Sequence, residues 1–144
     1  MRSLGLELEA RTKIGRNLNV IAAYAYTDAR TTQSNDPTQV GKRTGGVPYN
    51  QAFLRGDYVF AAFGLQGFKA GLGVRYVGET TGVWIDGRVP DFVVGDAIAA
   101  YQQGRWRYAL KVTNFTDKEY VASCTYECFY GSRRQVIGSV TYRW

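Results

Sequence analysis

Apolar and polar residues alternate along the last nine positions. Val136, Gly138, Val140, Tyr142 and Trp144 share one face of an extended chain, and Ser139, Thr141 and Arg143 lie on the other. The pattern recurs upstream. Leu4, Leu6, Leu8 and Ala10 oppose Glu7, Glu9, Arg11 and Lys13; Phe68, Ala70, Leu72, Val74 and Tyr76 face away from Lys69, Arg75 and Glu79. Trp106, Tyr108, Leu110 and Val112 likewise oppose Arg105, Arg107, Lys111 and Thr113. Period two marks strands with one oily and one wet face. It predicts seven strands, over residues 3–14, 18–28, 49–61, 68–79, 91–101, 105–115 and 134–144. Strands of soluble proteins most often run about 5–6 residues, whereas a tilted transmembrane strand needs about 9–11. These runs match the longer class.

The connections alternate as well. Gly15-Arg16-Asn17, residues 62–67 and Gln102-Gln103-Gly104 are short, while residues 29–48, 80–90 and 116–133 are long. In an antiparallel up-and-down sheet, alternate connections fall on opposite edges, so all the long loops share one side. That asymmetry belongs to outer-membrane barrels, with tight periplasmic turns and long external loops. Tyrosine or tryptophan closes the oily face near strand ends, at Tyr24, Tyr26, Tyr58, Tyr76, Tyr101, Trp106 and Trp144. Interfacial girdles need such residues. A soluble sandwich with one buried face is the competing reading of the strand pattern.

Seven strands do not close a barrel well. Bacterial barrels usually have an even number, and an open edge in lipid leaves backbone groups unpaired. Either an eighth strand exists or the chain is part of a larger barrel; in isolation it should be an open curved sheet.

Composition narrows the class. Eleven tyrosines, seven phenylalanines, three tryptophans and 17 glycines accompany three prolines and no histidine, which favours strands joined by turns. No 18-residue apolar run is present, so no membrane helix is expected; a barrel would leave none to find. The net charge of +6 is scattered singly through the strands, which argues against nucleic acid. The first ten residues alternate like a strand and lack the continuous apolar core of a signal peptide, so either a leader was removed or the chain is a fragment. An enzyme is not expected. Histidine, the commonest general base, is absent, Glu7 and Glu9 sit among cations on one strand face, and Gly71-Leu72-Gly73 is followed by no helix.

The segment Asn114-Phe115-Thr116-Asp117-Lys118-Glu119-Tyr120 resembles the Asn-Leu-Phe-Asp-Lys-x-Tyr box of TonB-dependent ferric-siderophore receptors. Val121-Ala122-Ser123-Cys124 and Cys128-Phe129-Tyr130-Gly131 follow in the family's order. Tyr24-Ala25-Tyr26-Thr27-Asp28-Ala29, Gly41-Lys42-Arg43 with Val47-Pro48, and Gly73-Val74-Arg75-Tyr76-Val77-Gly78 resemble successive family segments. The likeness covers nearly the whole chain and leans to the ferrichrome, or hydroxamate, branch. It implies an all-β transmembrane barrel of about 22 strands, of which residues 1–144 would be about the last seven. It also implies an amino-terminal plug, absent here, through which alone TonB would act. The implied setting is the bacterial outer membrane, with lipid, the barrel-assembly machinery and a ferric siderophore as partners. The siderophore is transported, and no cofactor is bound. A small stand-alone barrel with a structural or adhesin-like role is the alternative, and a soluble ligand-binding β-barrel a weaker third.

Several residues stand out against this background. Cys124 and Cys128 lie in an external loop exposed to an oxidising compartment, and a disulfide is expected. A metal site would need further ligands, and neither histidine nor a third cysteine is available. Only Thr125-Tyr126-Glu127 separates the two cysteines, where related receptors often carry a longer insert. Trp84, Tyr126, Phe129 and Tyr130 are candidate ligand contacts, since rigid rings give contact area at small entropic cost. Val136, Val140, Tyr142 and Trp144 resemble the terminal signal read by the assembly machinery. The inward basic residues Arg11, Lys13, Arg55, Lys69, Arg75, Arg105, Arg107 and Lys111 are expected to pair with plug carboxylates and with Glu7, Glu9, Asp57 and Asp96.

Overall fold

A computed structural model describes residues 1–61, 66–83 and 87–144. Among them, eleven strands follow in chain order: β1 (Arg2–Ile14), β2 (Leu18–Arg30), β3 (Asn50–Val59), β4 (Phe68–Val77), β5 (Thr80–Thr81), β6 (Arg88–Val89), β7 (Phe92–Gln103), β8 (Trp106–Thr113), β9 (Val121–Cys124), β10 (Cys128–Tyr130) and β11 (Gln135–Tyr142). The seven long strands form one antiparallel sheet in the order β1-β2-β3-β4-β7-β8-β11, with β1 and β11 at its two open edges. β5 with β6, and β9 with β10, make two short ribbons inside the long loops. Sequence periodicity missed these ribbons because pairs of two to four residues are too short to alternate. Among the described residues the remaining regular element is one 3-10 turn, Pro37–Gln39, capped by the Asp36 carboxylate accepting from the Thr38 amide at 2.9 Å. No described helix is long and apolar enough to cross a membrane, which has no bearing on a crossing by strands.

The seven expected strands are all present, with ends displaced by one or two residues. β8 stops at Thr113 because Asn114 turns into the left-handed region, at φ +48°. β11 ends at Tyr142, leaving Trp144 beyond the strand and 98% exposed. The tight turns use glycine where the backbone needs positive φ: Gly15 at +62° between β1 and β2, and Gly104 at +56° between β7 and β8. Most of the expected turn at residues 62–67 lies outside the described residues; at its base the Phe60 amide donates to the Phe68 carbonyl at 2.9 Å.

Register shows how the two faces are made. Directly opposed residues on neighbouring strands share a face. One row runs Thr12, Val20, Gly56, Leu72, Ala97, Val112 and Val136; the next runs Ile14, Leu18, Tyr58, Ala70, Ala99, Leu110 and Gly138. The intervening row on the other face is Lys13, Asn19, Asp57, Gly71, Ile98, Lys111 and Ile137. Each strand therefore contributes to one largely apolar face, which gives way to Arg2, Asp28 and Arg30 at the loop end of β1 and β2, and to one mixed, charged face. The apolar face is bare of protein: Leu4, Leu54, Leu72 and Val140 are 56, 55, 64 and 63% exposed. A water-soluble sandwich would have buried this face under a second sheet.

Aromatic rings mark both ends of the apolar face. Towards the turns, Trp106 meets Tyr142 at 4.8 Å between ring centroids, and Tyr58 meets Phe60 edge-on at 4.8 Å. Towards the loops, Tyr24 and Tyr26 lie opposite Leu8 and Leu6, and Tyr26 stacks on Tyr49 at 6.0 Å. The few buried residues, Ala29, Val89, Phe92, Val94, Asn114 and Cys124 among them, gather mainly where the sheet meets the long loops.

Candidate functional site at the loop edge and the charged wall

The segment 114–120 folds into a clasp over the rim of β7 and β8. Asn114, 2% exposed, organises it with a single side chain. Its amide nitrogen donates to the Lys118 carbonyl at 2.8 Å and the Ser132 carbonyl at 3.0 Å, and its carbonyl oxygen accepts from the Lys118 amide at 3.0 Å. One residue thereby ties the start of the last loop to its end. Asparagine suits the position because it tolerates left-handed φ and carries both a donor and an acceptor.

Asp117, also left-handed at φ +55°, makes the second tie. Its carboxylate accepts from Arg133 Nε at 3.1 Å, Arg133 Nη2 at 2.9 Å and the Arg134 amide at 2.9 Å, while Arg133 Nη1 reaches Glu119 at 2.7 Å. The Arg133 guanidinium, with the Arg134 amide beside it, holds the Asp117 carboxyl far below the usual carboxylate range. Two rings complete the clasp. Phe115 lies against Gly95, where a Cβ would overlap the ring, and Tyr120 lies tilted on Phe92, ring centroids 4.1 Å apart, and fills the space a side chain at Gly131 would need. Gly95 belongs to the apolar row and Phe92 to the opposite one, so these rings grip both sides of the rim.

The three long loops are joined to one another. The Gly46 amide donates to the Thr81 carbonyl at 2.8 Å, and the Val83 amide to the Cys124 carbonyl at 3.1 Å. Arg43 lies over the Tyr49 ring at 3.4 Å and donates to the carbonyls of Val47, at 2.7 Å, and Glu79, at 3.3 Å. Gly45 sits so close to the Gly82 and Val83 backbone that a Cβ there would overlap it. The loop edge is one connected body.

The charged face below the loops contains its own pairs. Arg11 binds Glu9, Arg55 reaches Asp57 at 2.7 Å, and Arg75 reaches Asp96 at 3.2 Å. Asp57 lies over Gly71, whose missing side chain makes the room. Among the described residues, Lys13, Lys69, Arg107 and Lys111 have no ion pair with a carboxylate. Arg105, expected on this face, instead precedes β8 in the turn, where its carbonyl accepts from the Arg143 amide at 3.0 Å. Glu79 likewise lies beyond β4 and binds Arg88 between the small ribbon and its flank.

Of the ring residues singled out in the sequence, Tyr126, Phe129 and Tyr130 stand on or beside one hairpin and are 75, 55 and 69% exposed. Cys124 and Cys128 are directly paired across that hairpin and joined by a disulfide. Tyr130 borders a hollow of about 320 Å³ with Pro90, Asp91, Lys118 and Glu119. Trp84 lies outside the described residues. Val136, Val140 and Tyr142 project from the apolar side of edge strand β11. Asn114 and Asp117 are visible in the sequence as part of a resemblance, but the partners they hold, Ser132 and Arg133, are not. The usable signal was the pairing of two residue types that accept left-handed φ with an acceptor-rich loop. No group of three or more metal-type side chains occurs among the described residues.

Comparison with known proteins converges on one family. The family described as "TonB dependent receptor-like, beta-barrel" matches residues 1–115. The chain is 38% identical over 151 aligned residues to the ferrichrome outer membrane transporter/phage receptor of Escherichia coli K12, covering 99% of this chain and 20% of that protein. It is 36% identical to the ferrioxamine receptor of Yersinia enterocolitica, covering 99% of this chain and 21% of that protein. The siderophore receptor PiuA from Acinetobacter baumannii superimposes with a TM-score of 0.80 at 24% identity, over 97% of this chain and 21% of that one. The chain thus spans about a fifth of the length of these relatives.

Proposed function

The chain belongs to the TonB-dependent receptor β-barrel family, and from that premise we propose that it forms wall and outer loops of a ferric-siderophore importer of the outer membrane. The observation that carries this reading is the sheet itself: one apolar band spanning all seven strands, one charged face, and every long loop on the same edge. Lipid would cover the first face and the lumen the second. An eight-stranded stand-alone barrel is not favoured. The sheet has seven strands in an up-and-down order, so its edge strands β1 and β11 run parallel and cannot join as an antiparallel pair.

In this reading residues 1–144 are the carboxyl-terminal part of the barrel. Tyr126, Phe129, Tyr130 and Trp84 offer rings to a hydroxamate-type ferric siderophore arriving from outside. The disulfide-bridged hairpin would present its rings on a stiff support, so contact costs little ordering entropy. Lys13, Lys69, Arg107 and Lys111 would meet carboxylates of a plug that fills the lumen and receives TonB. Val136, Val140, Tyr142 and Trp144 would be read by the assembly machinery.

A segment exchange tests the proposal. This chain would replace the matching fifth of the Escherichia coli ferrichrome transporter, and TonB-dependent uptake of labelled ferric ferrichrome would be followed in cells. Uptake above the plug-deleted control is expected. A chimaera that assembles as a protease-resistant barrel yet neither binds nor imports any ferric hydroxamate would contradict it.

A further inference from the structure

Asp96 stands where the charged wall meets the clasp, and its two oxygens face different partners. Oδ2 accepts from Arg75 Nε at 3.2 Å across the β4–β7 pair, and Oδ1 accepts from the Asn114 backbone amide at 3.0 Å. Asn114 is buried and left-handed just past the end of β8, so its amide has left the strand ladder. A buried amide without an acceptor is costly. The carboxylate of Asp96 therefore does for this amide what a neighbouring strand would otherwise do.

We infer that Asp96 is a positioning residue for the last outer loop, seating it from the charged wall and linking that seat to Arg75. Its reach follows from bonds already described. Asn114 fixes Lys118 and Ser132, so the seat of its amide sets the clasp; the loop it closes carries the disulfide hairpin, whose Cys124 carbonyl holds Val83 of the neighbouring loop. Arg75 is 44% exposed on the charged wall and borders a hollow with Glu7, Glu9 and Phe53. A change at that wall thus has a two-bond route to the external loops. The inference goes beyond the transport reading and holds whether or not a siderophore touches the hairpin.

The test is amide hydrogen exchange, read by mass spectrometry on this segment within the chimaeric receptor described above, reconstituted in lipid bilayers, for wild type and three variants. Asp96→Ala should speed exchange across residues 114–134 by about tenfold to a hundredfold while β2, β3 and β4 stay protected. Asp96→Asn keeps an acceptor oxygen and should restore most of the protection. Arg75→Gln leaves the Asn114 bond in place and should speed exchange of the loop by about threefold, through a less firmly held carboxylate. Wild-type protection of the loop in Asp96→Ala, or equal loosening in Asp96→Asn, would overturn the positioning role. Loss of protection throughout the sheet in Asp96→Ala would overturn its local character, and an unchanged loop in Arg75→Gln would overturn the link to the wall.

Discussion

The loop edge and the apolar band are built on opposite principles. At the loop edge, side chains tie backbone together: Asn114, Asp117, Arg43 and Asp96 each hold two or more partners, although Arg43 Nε, Thr44 Oγ1 and Thr80 Oγ1 are buried without one, and the few buried residues collect there. In the band, backbone groups are paired strand to strand, but Leu54, Leu72 and Val140 leave more than half of their surface uncovered by the chain. One region is stable by internal contacts and the other by its solvent. A transmembrane sheet needs both, because lipid can cover apolar faces but cannot satisfy the polar backbone of irregular loops.

The largest expected effect breaks the band at one point. Leu72→Arg places a charge on the apolar face, where the cost at the bilayer midplane is about 2–4 kcal/mol, whereas Ser139→Arg on the opposite face should cost little. Reversible unfolding of the chimaeric receptor in lipid vesicles measures both, and equal costs would abolish the distinction between faces. Asn114→Ala should cost about 1–3 kcal/mol by stranding the partners of its amide, and the damage should stay in residues 114–134. Hydrogen exchange reads its extent. Gly131→Ala forces a Cβ into the Tyr120 ring and should cost about 1–3 kcal/mol, again confined to the clasp. Protease cutting within 121–131 would report it.

The smallest effect is a pH dependence. Asp117 is held ionised by Arg133, so its folded pKa lies below its unfolded one. Its contribution is present above the ordinary carboxylate pKa of about 3.9 and is lost as the pH falls through the depressed folded value. Asp117→Asn should flatten that acid limb of loop protection and leave the neutral range without a slope. An unchanged acid limb in the variant would assign it to another group.

The band was legible in the sequence because period two exposes a one-sided strand directly: β1, β4 and β8 sort into faces by inspection. β7 was less so. Phe92, Val94 and Ile98 lie on the charged side, and Phe92 packs there under Tyr120, which is distant in sequence. The loop edge was legible only in part. Its box could be matched to a family by residue order, but the ties from Asn114 to Ser132 and from Asp117 to Arg133 span 18 and 16 residues, and no local period records them. The ion pairs on the charged wall divide the same way. Arg55 and Asp57 are two apart on one strand, whereas Arg75 and Asp96 meet only through register.

The central claim is that one face of this sheet meets lipid and the other water. Single cysteines along β4, placed in turn at Lys69, Ala70, Leu72, Gly73, Val74 and Arg75 of this segment within the chimaeric receptor in bilayers, would carry a fluorophore challenged by a lipid-borne quencher and by a water-soluble one. Lipid quenching at Ala70, Leu72 and Val74, alternating with aqueous quenching at Lys69, Gly73 and Arg75, is the expected result; uniform or inverted quenching would contradict it.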